Sequence, residues 1–199
     1  MRLKMSLQSI NLYSLLAKKK QFKKTVNFDL KRIKLALIKL GHPEKKLKNV
    51  ISVVGESGKF TTLFSLKSFI EASNQNVTTH ISPSLRDIRE RFYMGEKYLN
   101  HKEIKKTIKQ IEKLNIPLTV FECLTLVYII NASKLNVDYN IQETGALWRL
   151  DSNNIHDFPK IQICTNINKQ HLNFLKRKTL DEVINCLLYT SPSPRDNRT

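Results

Sequence analysis

The stretch "NVISVVGESGKFTTLFSLKSF", residues 49–69, limits the fold more than any other part of the chain. A β-branched run of strand length, Asn49 to Val54, leads straight into Gly55-Glu56-Ser57-Gly58-Lys59, and an unbroken helix-forming segment follows. A glycine loop between a strand end and a helix start aims several backbone N–H groups at one point, where the helix terminus also favours negative charge. That context suits a phosphate. The spacing is not that of the Walker loop, which holds four residues between its first glycine and the Gly-Lys pair. Here only Glu56 and Ser57 separate Gly55 from Gly58-Lys59. An ordinary strand-to-helix turn is the alternative for the loop taken alone.

The other segments repeat the alternation. Leu30, Ile33, Leu37 and Leu40 recur at helical spacing until Gly41 and Pro43 stop the helix. "NVTTHISP" reads as a second strand, and "SLRDIRERFYMGEKYL" as a basic loop after it. In "NHKEIKKTIKQIEKLN", Ile104, Ile108, Ile111 and Leu114 form one apolar stripe edged by lysines. "VFECLTLVYIINASK" reads as a buried helix, "NVDYNIQ" and "KIQICTN" as two more strands. Thr179 to Glu182 has capping-box spacing at a final helix. Strands alternating with helices predict an α/β fold, a P-loop-type, mostly parallel sheet with helices on both faces. Ligands of such sheets bind at the carboxyl ends of the strands. Gly55–Thr61, Ser82, Glu143 and His171 all fall there.

A chain of 199 residues holds one domain with a real core. Its net charge of +17 is uneven: residues 1–50 carry 14 Lys/Arg against 2 Asp/Glu, and the rest 20 against 15. The basic residues are mostly lysines among Ile and Asn, with no nucleic-acid motif beside them. A solvated lysine-rich surface is the reading preferred here, and a basic nucleic-acid binder the alternative. Cys123, Cys164 and Cys186 make no CxxC pair, and the first two lie in apolar runs. Buried free thiols and a reducing, cytoplasmic compartment are expected. The longest apolar stretch is broken by Glu122 and Asn131, so no membrane span or membrane partner is expected. Residues 1–26 form a basic segment read as an amphipathic helix, not a targeting signal. "CLLYTSPSPRDNRT" (186–199) carries two Ser-Pro pairs and no periodicity. It is read as a non-native tail, with a natural disordered tail as the alternative, leaving 27–185 as the domain.

With its motifs in order, the chain resembles the N-terminal, ATP-binding part of folylpolyglutamate synthase and dihydrofolate synthase, within the Mur ligase superfamily. "GESGKFT" fits that family's G-T-N-G-K-G-[ST] spacing, and "HISPSLRDIRERF" its T-S-P-H-L followed by E-R. "TVFECLTL" resembles its F-F-E before a buried helix, and "ETGALWRLDSNN" its E-V-G-L-G-G-R-L-D-A-T-N. "KQHLNFLKRKTLDEV" resembles its D-H near a final helix. The resemblance runs from about Asn27 to Asn185 and implies ATP and Mg²⁺ as cofactors. It implies that Gly55, Glu56, Ser57, Gly58, Lys59, Phe60 and Thr61 line the triphosphate, with Lys59 on the β/γ phosphates. The Thr61 hydroxyl, Ser82, Glu143 and His171 would hold Mg²⁺. Taken singly, Ser82 is equally a turn residue and His171 a structural one. A pterin pocket is implied at Phe28, Asp29, Leu30, Phe121, Glu122, Leu150, Asp151 and Ser152, although Phe121 serves equally as core. The implied reaction is ATP-dependent ligation of glutamate to a folate or pteroate carboxylate through an acyl phosphate.

Several positions depart from the family pattern. Glu56 stands for threonine, Ser57 for asparagine, and Phe60 for a glycine or small residue. An acid roughly 6 Å from a phosphate costs about 3 kcal/mol at an effective dielectric near 20. A side chain pointing out to solvent, or contacting a metal, escapes that cost. Leu147 and Trp148 replace paired glycines, a change expected to narrow the substrate pocket; Gln170 replaces an aspartate and Ser84 a histidine. The family's K-A-G segment with its modified lysine, and its C-terminal domain, would lie beyond the native-looking sequence. The expectation is a truncated Mur ligase central-domain-like unit, inactive alone, from a parent that is a ligase and a monomer. A degenerate nucleotide-binding module without catalysis is the second reading.

Overall fold

The computed structural model describes Leu16, residues 29–157 and residues 159–189. One sheet has the strand order β3-β2-β4-β1-β5, with β1 Val50–Val54, β2 Val77–His80, β3 Phe92–Met94, β4 Tyr139–Glu143 and β5 Ile161–Cys164. The β1–β4, β1–β5 and β2–β4 pairs are parallel, and β3 runs antiparallel to β2. The helices are α1 Leu30–Lys39, α2 Lys59–Ala72, α3 His101–Glu112, α4 Val120–Ala132 and α5 Leu180–Leu187. The mostly parallel α/β sheet read from the sequence is therefore the fold found.

Strand β3 corrects one reading. It lies inside the segment taken as a basic loop. Phe92 and Met94 are buried there with Tyr93 between them, facing the other way. An alternation of three residues between charged neighbours is too short to register as a period of two. Pairing with β2 through Thr78↔Met94 and His80↔Phe92 supplies what the local sequence lacks.

The two faces of the sheet are unlike. Ile51, Val53, Val77, Ile81 and Ile141 pack against Leu63 and Ile70 of α2. The residues alternating with them, Ser52, Thr78, His80, Asn140 and Gln142, are buried on the opposite face. Helix α4 covers that face and is apolar nearly all round. Helices α1 and α3 close over α4 through Ile33, Ala36, Leu37, Ile104, Ile108 and Ile111, and Leu16 is buried in the same cluster. Asn100 and Thr119 each close a capping box, with Glu103 and Glu122, at the starts of α3 and α4. At α5 the expected box is half made. Thr179 accepts the Glu182 N–H, but the Glu182 carboxylate turns back to the amides of Lys176 and Arg177.

Helix α5 runs through Leu187, so the boundary drawn before Cys186 falls inside it. Cys186 and Leu187 pack with Val54, Leu147 and Trp148, and Trp148 Nε1–H donates to Tyr189 O at 2.8 Å. Cys123 and Cys186 are buried and form no disulfide; Cys164, expected to be buried, is half-buried because β5 has a described neighbour on one side only. The helix expected over 1–26, apart from Leu16, and the tail beyond Tyr189 lie outside the described residues. Among the described residues no helix is long and apolar enough to cross a membrane.

Candidate functional site

The loop from Gly55 to Gly58 joins β1 to α2 at the carboxyl edge of the sheet. Both glycines have positive φ, +127° and +81°. A Cβ on Gly55 would also stand 2.9 Å from Asn166 O, so no larger residue fits. Not every amide of the predicted anion nest faces outward. Asn166 Oδ1 accepts the N–H of Glu56 at 3.2 Å and of Ser57 at 2.8 Å. Thr165 Oγ1 donates to Ser57 O at 2.7 Å. The amides of Lys59, Phe60 and Thr61 open α2 and have no carbonyl a turn back to bond. Lys59 Nζ donates to Gly55 O at 2.8 Å and Glu56 O at 3.3 Å, which curls the ammonium over the loop.

Two buried carboxylates stand near this ammonium. Glu143, at the end of β4, accepts the Ser82 N–H from the end of β2 at 2.9 Å. Burial raises its carboxyl above the usual range, while the Ser82 N–H and the charges of Lys59 and Arg91 pull it down. Asp151 is pushed up to about 6 by burial, against backbone N–H bonds from Asn153, Ala146 and Gly145 and the Lys59 charge. A buried carboxylate next to an ammonium at strand ends is an arrangement that a phosphate-bound cation can use.

His171 sits elsewhere around the loop. Its Nε2 lies 3.3 Å from Oε2 of Glu56, whose side chain is 1% exposed. Glu56 therefore turns beneath the loop toward His171. Both its oxygens are buried without a hydrogen bond. Thr61 is exposed in the first turn of α2. Among the described residues no cluster of three or more His, Cys, Asp or Glu side chains is suited to a metal. The donors present are the Glu143 carboxylate, the Ser82 and Thr61 hydroxyls, and the separate Glu56–His171 pair. Few, hard oxygen donors fit a Mg²⁺ that keeps its waters and arrives on a nucleotide.

The residues assigned to a pterin pocket have local partners. Asp29 caps α1 by accepting the Lys31 N–H, and Leu30 packs on the core. Glu122 closes its capping box with Thr119 and is held by Arg32 at 3.0 and 3.2 Å. Asp151 holds the turn after β4, and Ser152 Oγ lies 2.8 Å from Thr125 Oγ1. Phe121 is half-buried with its ring against Gly145, and Leu150 is exposed, so these two offer apolar surface. Phe28 lies outside the described residues. Leu147 and Trp148, expected to narrow this pocket, are instead buried under α5. Leu147 holds φ +47°, a conformation that glycine adopts freely. Asn166 and Thr165 went unread as loop partners; they carry no local motif and reach the loop only through the β1–β5 pairing.

No protein-family model matches the chain. It is 33% identical over 157 residues to the dihydrofolate synthase/folylpolyglutamate synthase of Buchnera aphidicola from Schizaphis graminum, covering 78% of this chain and 37% of that protein. It is 29% identical over 163 residues to the Bacillus subtilis protein of the same name, covering 77% and 37%. The chain thus spans a little over a third of the length of these relatives. A structure of E. coli FolC in complex with DHPP and ADP superposes with a TM-score of 0.78 and 28% identity, covering 89% of this chain and 42% of that one. A bifunctional folylpolyglutamate synthase/dihydrofolate synthase with Mn, AMPPNP and L-glutamate bound gives 0.71 and 27%, covering 80% and 38%. The resemblance read from the motifs is borne out.

Proposed function

We propose that this chain, related to the dihydrofolate/folylpolyglutamate synthases, is the nucleotide-binding part of an ATP-dependent ligase that joins glutamate to a folate or pteroate carboxylate. The observation that carries the reading is the meeting of the glycine loop, its Lys59 ammonium and the Ser82–Glu143 pair at the ends of β1, β2 and β4. Similar structures with ADP, or with AMPPNP and Mn, support a nucleotide and a divalent cation as the cofactors. In the reaction a substrate carboxylate oxygen displaces ADP from the γ-phosphorus. The glutamate amine then attacks the acyl carbon, expelling phosphate and losing a proton. Lys59 and the α2 amides would hold the phosphate charge, Glu143 and the Ser82 and Thr61 hydroxyls the cation, and Phe121 and Leu150 the apolar side of the pterin. Mg²⁺ would supply neutralisation of the nucleotide's negative charge.

Calorimetry with Mg·ATP tests this. The wild-type chain should bind, and Lys59→Ala should weaken binding about 30-fold, the worth of one charge-assisted hydrogen bond. A coupled phosphate-release assay with dihydropteroate, tetrahydrofolate and glutamate should show no turnover by the chain on its own. The buried Glu56 favours a second reading, a nucleotide module without catalysis in its parent; equal affinity for wild type and Lys59→Ala would leave neither a functional nucleotide loop.

A further inference from the structure

We infer that Asn166 is a positioning residue for the glycine loop, which its neutral side-chain oxygen holds in the shape that turns the remaining amides toward an anion. The inference rests on the loop being a nucleotide site. Five contacts argue for it. Asn166 Oδ1 takes the N–H groups of both residues between the glycines, at 3.2 and 2.8 Å. Asn166 O accepts the Glu56 N–H a second time, at 3.3 Å. Thr165 Oγ1 donates to Ser57 O at 2.7 Å and lies 3.3 Å from Val54 O, tying the loop to the strand that feeds it. The loop is therefore clamped from the end of β5, a strand it touches only through tertiary structure.

The chemistry of the clamp is selective. An acceptor for two amides could be a carboxylate, but a carboxylate under a triphosphate would repel it. An amide oxygen satisfies both donors without adding charge. With Glu56 and Ser57 satisfied from below, the amides of Lys59, Phe60 and Thr61 are the donors left for an anion, beside the Lys59 ammonium. Gly55 permits the approach, because any side chain there would collide with Asn166.

Amide hydrogen exchange and Mg·ATP calorimetry on the same chain test the clamp. In nucleotide-free protein the Glu56 and Ser57 amides should exchange slowly. Asn166→Ala should speed exchange of the Ser57 amide about tenfold or more, and that of Glu56 less because its N–H keeps the backbone Asn166 O, and should weaken Mg·ATP about tenfold, one neutral hydrogen bond's worth at each readout. Asn166→Asp should keep the two amides protected yet bind Mg·ATP more weakly than Asn166→Ala, because it restores the acceptor and adds a charge. Unchanged exchange in Asn166→Ala, or Mg·ATP binding as tight as or tighter than wild type, overturns the inference; tighter binding would mean the side chain fills the anion's own seat. Should wild type bind no Mg·ATP while the exchange pattern holds, the nucleotide reading fails and the clamp stands.

Discussion

The two faces of the sheet are made by alternate residues of the same strands, yet one is oil and the other a hydrogen-bonded layer. Under α2 lie Ile51, Val53, Val77 and Ile141. Under α4, Tyr128 OH, Thr78 Oγ1 and Asn140 form a relay with 2.7 Å steps, which continues from Asn140 Nδ2 to Lys48 O at 2.7 Å. Thr78 spends its one proton on Asn140, so the Tyr128 hydroxyl must donate to it. Gln142 Nε2 meets His156 Nε2 at 2.8 Å, and His80 stacks between Tyr128 and Phe92. The apolar face gains by area and is indifferent to direction. The polar face gains little net free energy: its pairs are directional, while Ser52 Oγ, His80 Nε2 and Gln142 Oε1 stand buried without a hydrogen bond. Strand β4, central in the sheet, belongs to both.

The largest effect should come from the apolar face. Ile141→Ala should cost about 3 kcal/mol in urea unfolding, since the residue is fully enclosed and its cavity cannot collapse. A loss below 1 kcal/mol would mean that the α2 face is loosely packed. Acid should lower stability through the polar face, against the raised carboxyls of Asp151 and Glu143 at the strand ends. Burial holds His80 near 3 and His156 near 4, below their ordinary 6.5. As pH falls below 6.5 the unfolded chain takes up protons that the folded chain refuses, so stability falls. Asp151, raised to about 6 from 3.8, opposes this by taking a proton earlier in the folded state. These three groups together give a loss of about 2 kcal/mol between pH 7 and pH 5. Chemical denaturation at the two pH values checks it, and stability that rises on acidification would contradict it. Smallest is Thr78→Val, which strands the Tyr128 hydroxyl and Asn140 Oδ1 and should cost about 1.5 kcal/mol. An unchanged midpoint would show that the layer is not coupled.

Legibility followed the length of each pattern. Strands β1 and β2 announce themselves by β-branched runs, β4 and β5 by apolar–polar alternation, and α1 by Leu30, Ile33 and Leu37 at helical spacing. Strand β3 has three residues and no pattern of its own. The T-x-x-E spacing that marks the start of α5 also stands at Thr119–Glu122; there it caps α4, and Arg32 claims the same carboxylate from α1. Assigning Glu122 to a pocket weighs family position over that local chemistry. For the loop, sequence locates Gly55, Gly58 and Lys59 because their spacing is contiguous. The direction of Glu56, the Leu147 backbone and the Asn166 contacts depend on segments about a hundred residues apart meeting at one edge, and no local window contains them.

Strand β5 lies last in the sheet order, with the Ile161 side chain 45% exposed. Among the described residues no strand pairs with its outer edge, whose backbone groups are laid out at the repeat of an extended chain. Such an edge would let two molecules pair rim to rim without unfolding, which sedimentation at rising concentration would show as self-association. Handling it as a reagent calls for dilute stocks or a charged side chain in place of Ile161.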